Sequence, residues 1–121
     1  MNPCPFCTPG DDVLANEHAM VRYDINPVTP GHLLVLTRRH VADFFGTTPD
    51  ERAALLALLQ RAKVLLQRER SPDGFNIGVN VGDAAGQTIP HVHVHLIPRH
   101  RGDTPNPRGG VRGVIPDKQS Y

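Results

Sequence analysis

Tryptophan is absent from the 121 residues, and aromatic side chains make up only 5 % of them. A core built around large rings is therefore excluded, and Leu, Val, Ile and Ala must fill it. At 39 % hydrophobic residues the chain can supply one such core. Cysteine occurs only at Cys4 and Cys7, which excludes a disulfide framework. No apolar run approaches the length of a membrane span, and no signal-peptide hydrophobic stretch opens the chain. A soluble, cytoplasmic protein without a membrane partner is the expectation. An excess of charge of one sign is missing too, with 13 Lys and Arg against 12 Asp and Glu. The Arg-rich pieces at 68–70 and 99–112 are broken by acids, Gly and Pro, so no nucleic-acid partner is expected.

What is present is concentrated in one stretch. His91, His93 and His95 alternate with Val92, Val94 and Leu96, just before Ile97-Pro98-Arg99. Alternation places the apolar residues on one face of a strand and the imidazoles on the other, about 6.6 Å apart. A lone strand histidine is usually a structural hydrogen-bonding residue. Three at strict period two are poorly explained that way, because imidazole acts near neutral pH as nucleophile, acid, base or metal ligand. A catalytic zinc on the three histidines would favour a nearby carboxylate, and none lies between Gly86 and Arg101. Functional use of His93 is expected, with metal ligand and nucleophile both open on the residues alone.

Cys4-Pro5-Phe6-Cys7 is equally open. It reads as half of a zinc site, a redox pair or incidental thiols. A redox pair normally starts a helix after a strand, whereas Pro3, Pro5, Pro9 and Gly10 surround these cysteines. Zinc would need two more ligands, and seven histidines are on offer.

Residues 1–12 read as an irregular lead, 19–23 as a strand, 26–31 as a turn and 32–37 as an apolar strand. A short helix is expected near 41–45. Thr48, Pro49 and Glu51 form the start of a long helix, with a capping box and proline at the first position. Leu55, Leu58, Leu59, Ala62, Leu65 and Leu66 recur along it at helical spacing until Ser71-Pro72-Asp73-Gly74 stops it. Alternation returns over 75–81, a turn-rich loop follows at 82–86, and the triple-histidine strand comes next. Residues 102–121 read as an irregular tail. No linker divides the chain, so residues 1–121 are expected to form one α+β domain. Its antiparallel sheet would have about five strands, with one long and one short helix.

The His91-Val-His93-Val-His95-Leu-Ile stretch resembles the signature of the histidine-triad (HIT) superfamily of nucleotide hydrolases and transferases. Thr29-Pro30-Gly31-His32 with the following strand, Arg38-Arg39-His40, the helix start at Thr48, and Gly86-Gln87-Thr88 are similar to that family in order and spacing. The resemblance runs from about Cys4 to Arg101. It implies cleavage of the α-phosphate linkage of adenylated substrates through a nucleotidyl-histidine intermediate, with release of AMP. His93 would be the nucleophile and His95 the proton donor to the leaving group. Asn80, Gln87 and Thr88 would donate to phosphate oxygens. Asp24 would bind the ribose, and Phe6 and Ile25 would flank the base. The resemblance also implies a structural zinc on Cys4, Cys7, His40 and His91, and no organic cofactor. Without zinc, His91 and His32 would serve as partners around His93. The chain is similar to both the Fhit-like and Hint-like branches, and a homodimer is implied. Nucleotidyl transfer (a phosphorylase) and nucleotide binding without turnover are the alternative readings.

Overall fold

The computed structural model describes residues 4–121, so the first three residues of the expected lead lie outside it. Thr48 caps the long helix α1 (Pro49–Arg70): its side chain accepts from the Glu51 backbone N–H while the Glu51 carboxylate accepts from the Thr48 N–H. Leu55, Leu58, Ala62 and Leu66 fall on one stripe of α1 and are buried. Ser71 ends the helix in the left-handed conformation at φ 48°, immediately before Pro72.

The strands are β1 (Leu14–Ala15), β2 (Ala19–Tyr23), β3 (Leu33–Thr37), β4 (Gly74–Gly78) and β5 (His93–Arg99). They form an antiparallel sheet in the order β1-β2-β3-β5-β4. The expected α+β class and strand number hold. The two-residue β1 was not legible in the sequence, being too short to show a period.

The sheet buries both faces differently. Ala19, Val21, Leu33, Val35, Val94 and Leu96 meet the α1 stripe and make the main core. On the opposite face Met20, Leu34 and Leu36 form a smaller cluster with Phe6 from the lead. This second face carries the histidines, because Leu36 is the cross-strand partner of His93 and Leu34 of His95.

Three boundaries differ from the sequence expectation. Near 41–45 there is no α-helix but one 3-10 turn, Phe44–Gly46, with Asp43 accepting from the Phe45 and Gly46 N–H groups. Gly46 and the approaching Pro49 leave no length for a second helical turn. The strand expected over 75–81 ends at Gly78. Its register with β5 would set Asn80 opposite His93, but the chain leaves the sheet first. His91 and Val92 precede β5 rather than belonging to it. Pro90 has no N–H to give, and the N–H groups of His91 and Val92 go to the carbonyls of Ile89 and Val41. The tail is irregular as expected, with two 3-10 turns at Gly110–Val114 and Pro116–Lys118.

Arg39 grips the buried Glu51 with two hydrogen bonds, from Nε at 2.9 Å and Nη2 at 2.8 Å. With the backbone bonds at Thr48, this lowers the Glu51 carboxyl from 4.5 to about 2. A depressed carboxyl stabilises the fold fully above pH 4.5, and that contribution disappears as pH falls from 4.5 toward 2. The Arg39 side chain is 54 % exposed, so solvent screens the pair. Glu51→Gln is expected to cost about 1–2 kcal/mol at pH 7 and almost nothing at pH 2. Urea denaturation of both proteins across that range measures the difference.

Candidate active site

The turn before β3 places the first functional imidazole. Gly31 takes φ +92°, and a β-carbon there would meet Arg70 Nε at 2.5 Å, so the position requires glycine. His32 follows and is buried. The backbone N–H of Val28 donates to His32 Nδ1 at 3.0 Å. Burial lowers the His32 pKa despite the carboxylate of Asp24, so the ring is neutral near pH 7. With Nδ1 accepting, its proton sits on Nε2.

That atom lies 2.9 Å from His95 Nδ1 and 3.5 Å from Asp24 Oδ2. His32 Nε2–H therefore donates to His95 Nδ1. His95 is itself held neutral by burial and by the neighbouring His93 and His32 rings. Its proton must then lie on Nε2. A backbone amide in the Val28 turn thus sets the tautomer of a histidine in another strand.

His93 has the opposite polarity. Its Nδ1–H donates to the His91 carbonyl at 2.8 Å, which leaves Nε2 with a lone pair. The His93 and His95 ring centroids are 5.1 Å apart. A ring nitrogen with a lone pair and a ring nitrogen with a hydrogen thus stand side by side, and both residues line a cavity of about 910 Å³. Phe6, Asp24, Ile25, Asn80 and Thr88 line it as well.

Their settings differ. Phe6 is buried and meets the His93 ring edge-on at 5.0 Å. Ile25 is almost fully exposed at the rim. Asp24 accepts from the Asn26 N–H at 2.8 Å and also faces His32. Gln87 is not among the lining residues. Its Nε2 donates to the carbonyls of Ala42 and Ile89 and its Oε1 accepts from the Gly82 N–H, so it ties down the loop before β5.

The sequence reading missed three contributors. Two are backbone groups, the Val28 N–H and the Thr37 carbonyl, which no residue pattern announces. The third is Arg22 on the cavity wall. Its place in β2 two residues from Met20 was a signal for the sheet face it shares, though not for the cavity.

The expected cysteine and histidine set is assembled. Cys4, Cys7, His40 and His91 bring their ligand atoms within 4.8 Å of one another. The Sγ to Nδ1 separations are 3.4 Å for Cys4–His91, 3.2 Å for Cys7–His40 and 3.5 Å for Cys7–His91. Tetrahedral zinc with two thiolates and two imidazoles has S···N edges of about 3.5 Å, so the donor set and spacing fit that ion. The Thr37 carbonyl accepts from His91 Nε2 at 2.7 Å, which points the Nδ1 lone pair at the thiols. Burial lowers the His91 pKa and keeps the ring in the neutral, ligating form.

Comparisons with known proteins identify relatives of the chain. Residues 8–102 match the HIT domain. An uncharacterized HIT-like protein of Mycobacterium tuberculosis is 36 % identical over 111 residues, which cover 84 % of this chain and 74 % of the relative. An asymmetrical bis(5'-nucleosyl)-tetraphosphatase of Schizosaccharomyces pombe is 39 % identical over 66 % of this chain and 44 % of its own length. An AP-4-A phosphorylase of Mycobacterium tuberculosis is 40 % identical over 66 % of this chain and 42 % of its own. The chain thus matches less than half of each of these two enzymes. The crystal structure of a Zn-bound histidine triad family protein from Mycobacterium smegmatis superposes with a TM-score of 0.77. It is 34 % identical, over 85 % of this chain and 79 % of that one.

Metal content and stability check the four-ligand cluster together. The protein is expected to bind about one zinc per chain, and the Cys4→Ser, Cys7→Ser double variant none. Stripping the ion with a chelator should lower Tm by several degrees, because the lead carrying Phe6 loses its anchor.

Proposed function

The chain belongs to the HIT domain family, and we propose that it is a hydrolase of adenylated compounds, dinucleoside polyphosphates or adenosine phosphoramidates. The observation that carries this reading is the opposed polarity of His93 and His95. His93 Nε2 attacks the α-phosphorus in line, forming a P–N bond as the bond to the leaving group breaks. The leaving oxygen or nitrogen accepts a hydrogen bond from His95 Nε2–H and takes its proton from water, so the ring stays neutral. Water then attacks phosphorus, the P–N bond breaks and returns the lone pair to His93 Nε2, and the proton that water loses goes to solvent as AMP leaves.

The remaining assignments follow the cavity. Asn80 and Thr88 donate to the phosphoryl oxygens, where charge accumulates in the transition state, and Gln87 holds their loop in place. Asp24 binds the ribose hydroxyls, and Phe6 and Ile25 flank the base. His91 and His32 act through backbone and ring contacts, as partners of His93 and His95. A zinc on Cys4, Cys7, His40 and His91 would be closed to substrate by its four protein ligands and would supply structure alone. Paired reduced thiols suit the cytoplasm. Among the described residues no helix is long and apolar enough to cross a membrane. A homodimer would use α1 and one strand; Leu56, Val64 and Ile77 offer exposed apolar surface there.

A second reading, transfer to phosphate, is favoured by the similarity to a protein named AP-4-A phosphorylase. Supplying inorganic phosphate separates the two: transfer yields ADP from diadenosine tetraphosphate, and hydrolysis yields AMP. A tight AMP complex without product would instead mark a binding protein.

The central test is the intermediate. After mixing with either substrate and quenching in base, mass spectrometry should find AMP on His93. His93→Ala should remove the adduct and lower turnover by a factor on the order of 10⁴ or more. Turnover near the wild-type level in that variant would end the proposal.

A further inference from the structure

Arg22 is the one Lys or Arg among the described residues lining the 910 Å³ cavity, and none of the steps above uses it. It stands on the same sheet face as the histidines. Arg22 is the cross-strand partner of Leu34, and Leu34 is the partner of His95. Two strand spacings put the Arg22 backbone about 10 Å from that of His95. That span matches the reach from the α-phosphate of a nucleotide to the far edge of its base.

The guanidinium is held, not mobile. Its Nε donates to Asp12 Oδ1 at 2.9 Å, Nη1 to the Pro5 carbonyl at 3.4 Å and Nη2 to Met20 Sδ at 3.7 Å. A β-carbon at Gly10 would come within 3.0 Å of Arg22 Cζ, so the lead lies directly on the group. The side chain is only 13 % exposed. Of five N–H donors, three are engaged. Among the described residues one N–H on each terminal nitrogen has no partner, and Arg22 lines the cavity.

A fork of two N–H donors matches two adjacent acceptors. Guanine and hypoxanthine present O6 and N7 side by side; adenine presents N7 beside an amino donor. We propose that Arg22 reads the base edge and selects 6-oxopurine nucleotides over adenine nucleotides. This rests on the nucleotide reading of the site and refines it: adenylated compounds react, and their guanine counterparts bind tighter.

Calorimetric titration of the zinc-loaded protein with GMP, IMP, AMP and 7-deaza-GMP tests the assignment. GMP and IMP should bind roughly tenfold tighter than AMP, the scale of one bidentate contact. Loss of N7 in 7-deaza-GMP should remove most of that advantage. Arg22→Met should reduce the GMP-to-AMP affinity ratio to about one. Equal affinity for GMP and AMP in the unmodified protein would overturn the proposal, and so would an equal loss for every base in the variant. The wild-type series decides the matter even if the variant does not fold. Failure of all four nucleotides to bind would overturn the nucleotide reading itself.

Discussion

The 2.8 Å hydrogen bond from His93 Nδ1–H to the His91 carbonyl is the constraint on which the site turns. It removes one nitrogen of His93 from play and leaves the other as a lone pair facing the cavity. Residue 91 is used twice. Its carbonyl fixes His93, while its ring lies between the Thr37 carbonyl and the two thiols. The proposed metal site and the candidate nucleophile are therefore neighbours through one residue's backbone. The step from His91 into β5 at His93 makes this geometry possible, because a carbonyl already committed to the sheet ladder could not accept from a side chain so well.

A second chain of bonds sets the complementary polarity. The Val28 N–H, His32 and His95 are linked by two hydrogen bonds of 3.0 and 2.9 Å. All the rings along that path are kept neutral by burial, so a single backbone donor decides where the last proton sits. A neutral His95 can turn an N–H toward a leaving group while its Nδ1 still accepts from His32, which a doubly protonated ring could not do.

The fold serves this arrangement through its two unlike faces. α1 covers one face with Leu55, Leu58, Ala62 and Leu66, and that contact makes the larger of the two core clusters. The other face carries the smaller cluster and is covered by the lead and by Ile89 from the loop before β5. Phe6 of the lead meets both His91 and His93 edge-on. A short, proline-rich segment with little core of its own thus forms one wall of the cavity, tied down by the cysteines on either side of Phe6 and by the Arg22–Asp12 pair.

Local patterns were enough for much of this. The α1 start, its buried stripe, β2 and β3 follow from capping residues and from apolar periodicity, which are properties of neighbours in the chain. The alternation at His93 and His95 placed both rings on one face, and the resemblance to a known family put Cys4, Cys7, His40 and His91 together. What the sequence could not determine were the tautomers, the exclusion of His91 from the strand, the turning of Gln87 into its own loop and the position of Arg22 beside the cavity. Each depends on where a backbone N–H or carbonyl from a distant segment ends up. Side-chain order along a chain carries the period of an element, but only the closed sheet decides which distant amide a ring nitrogen meets.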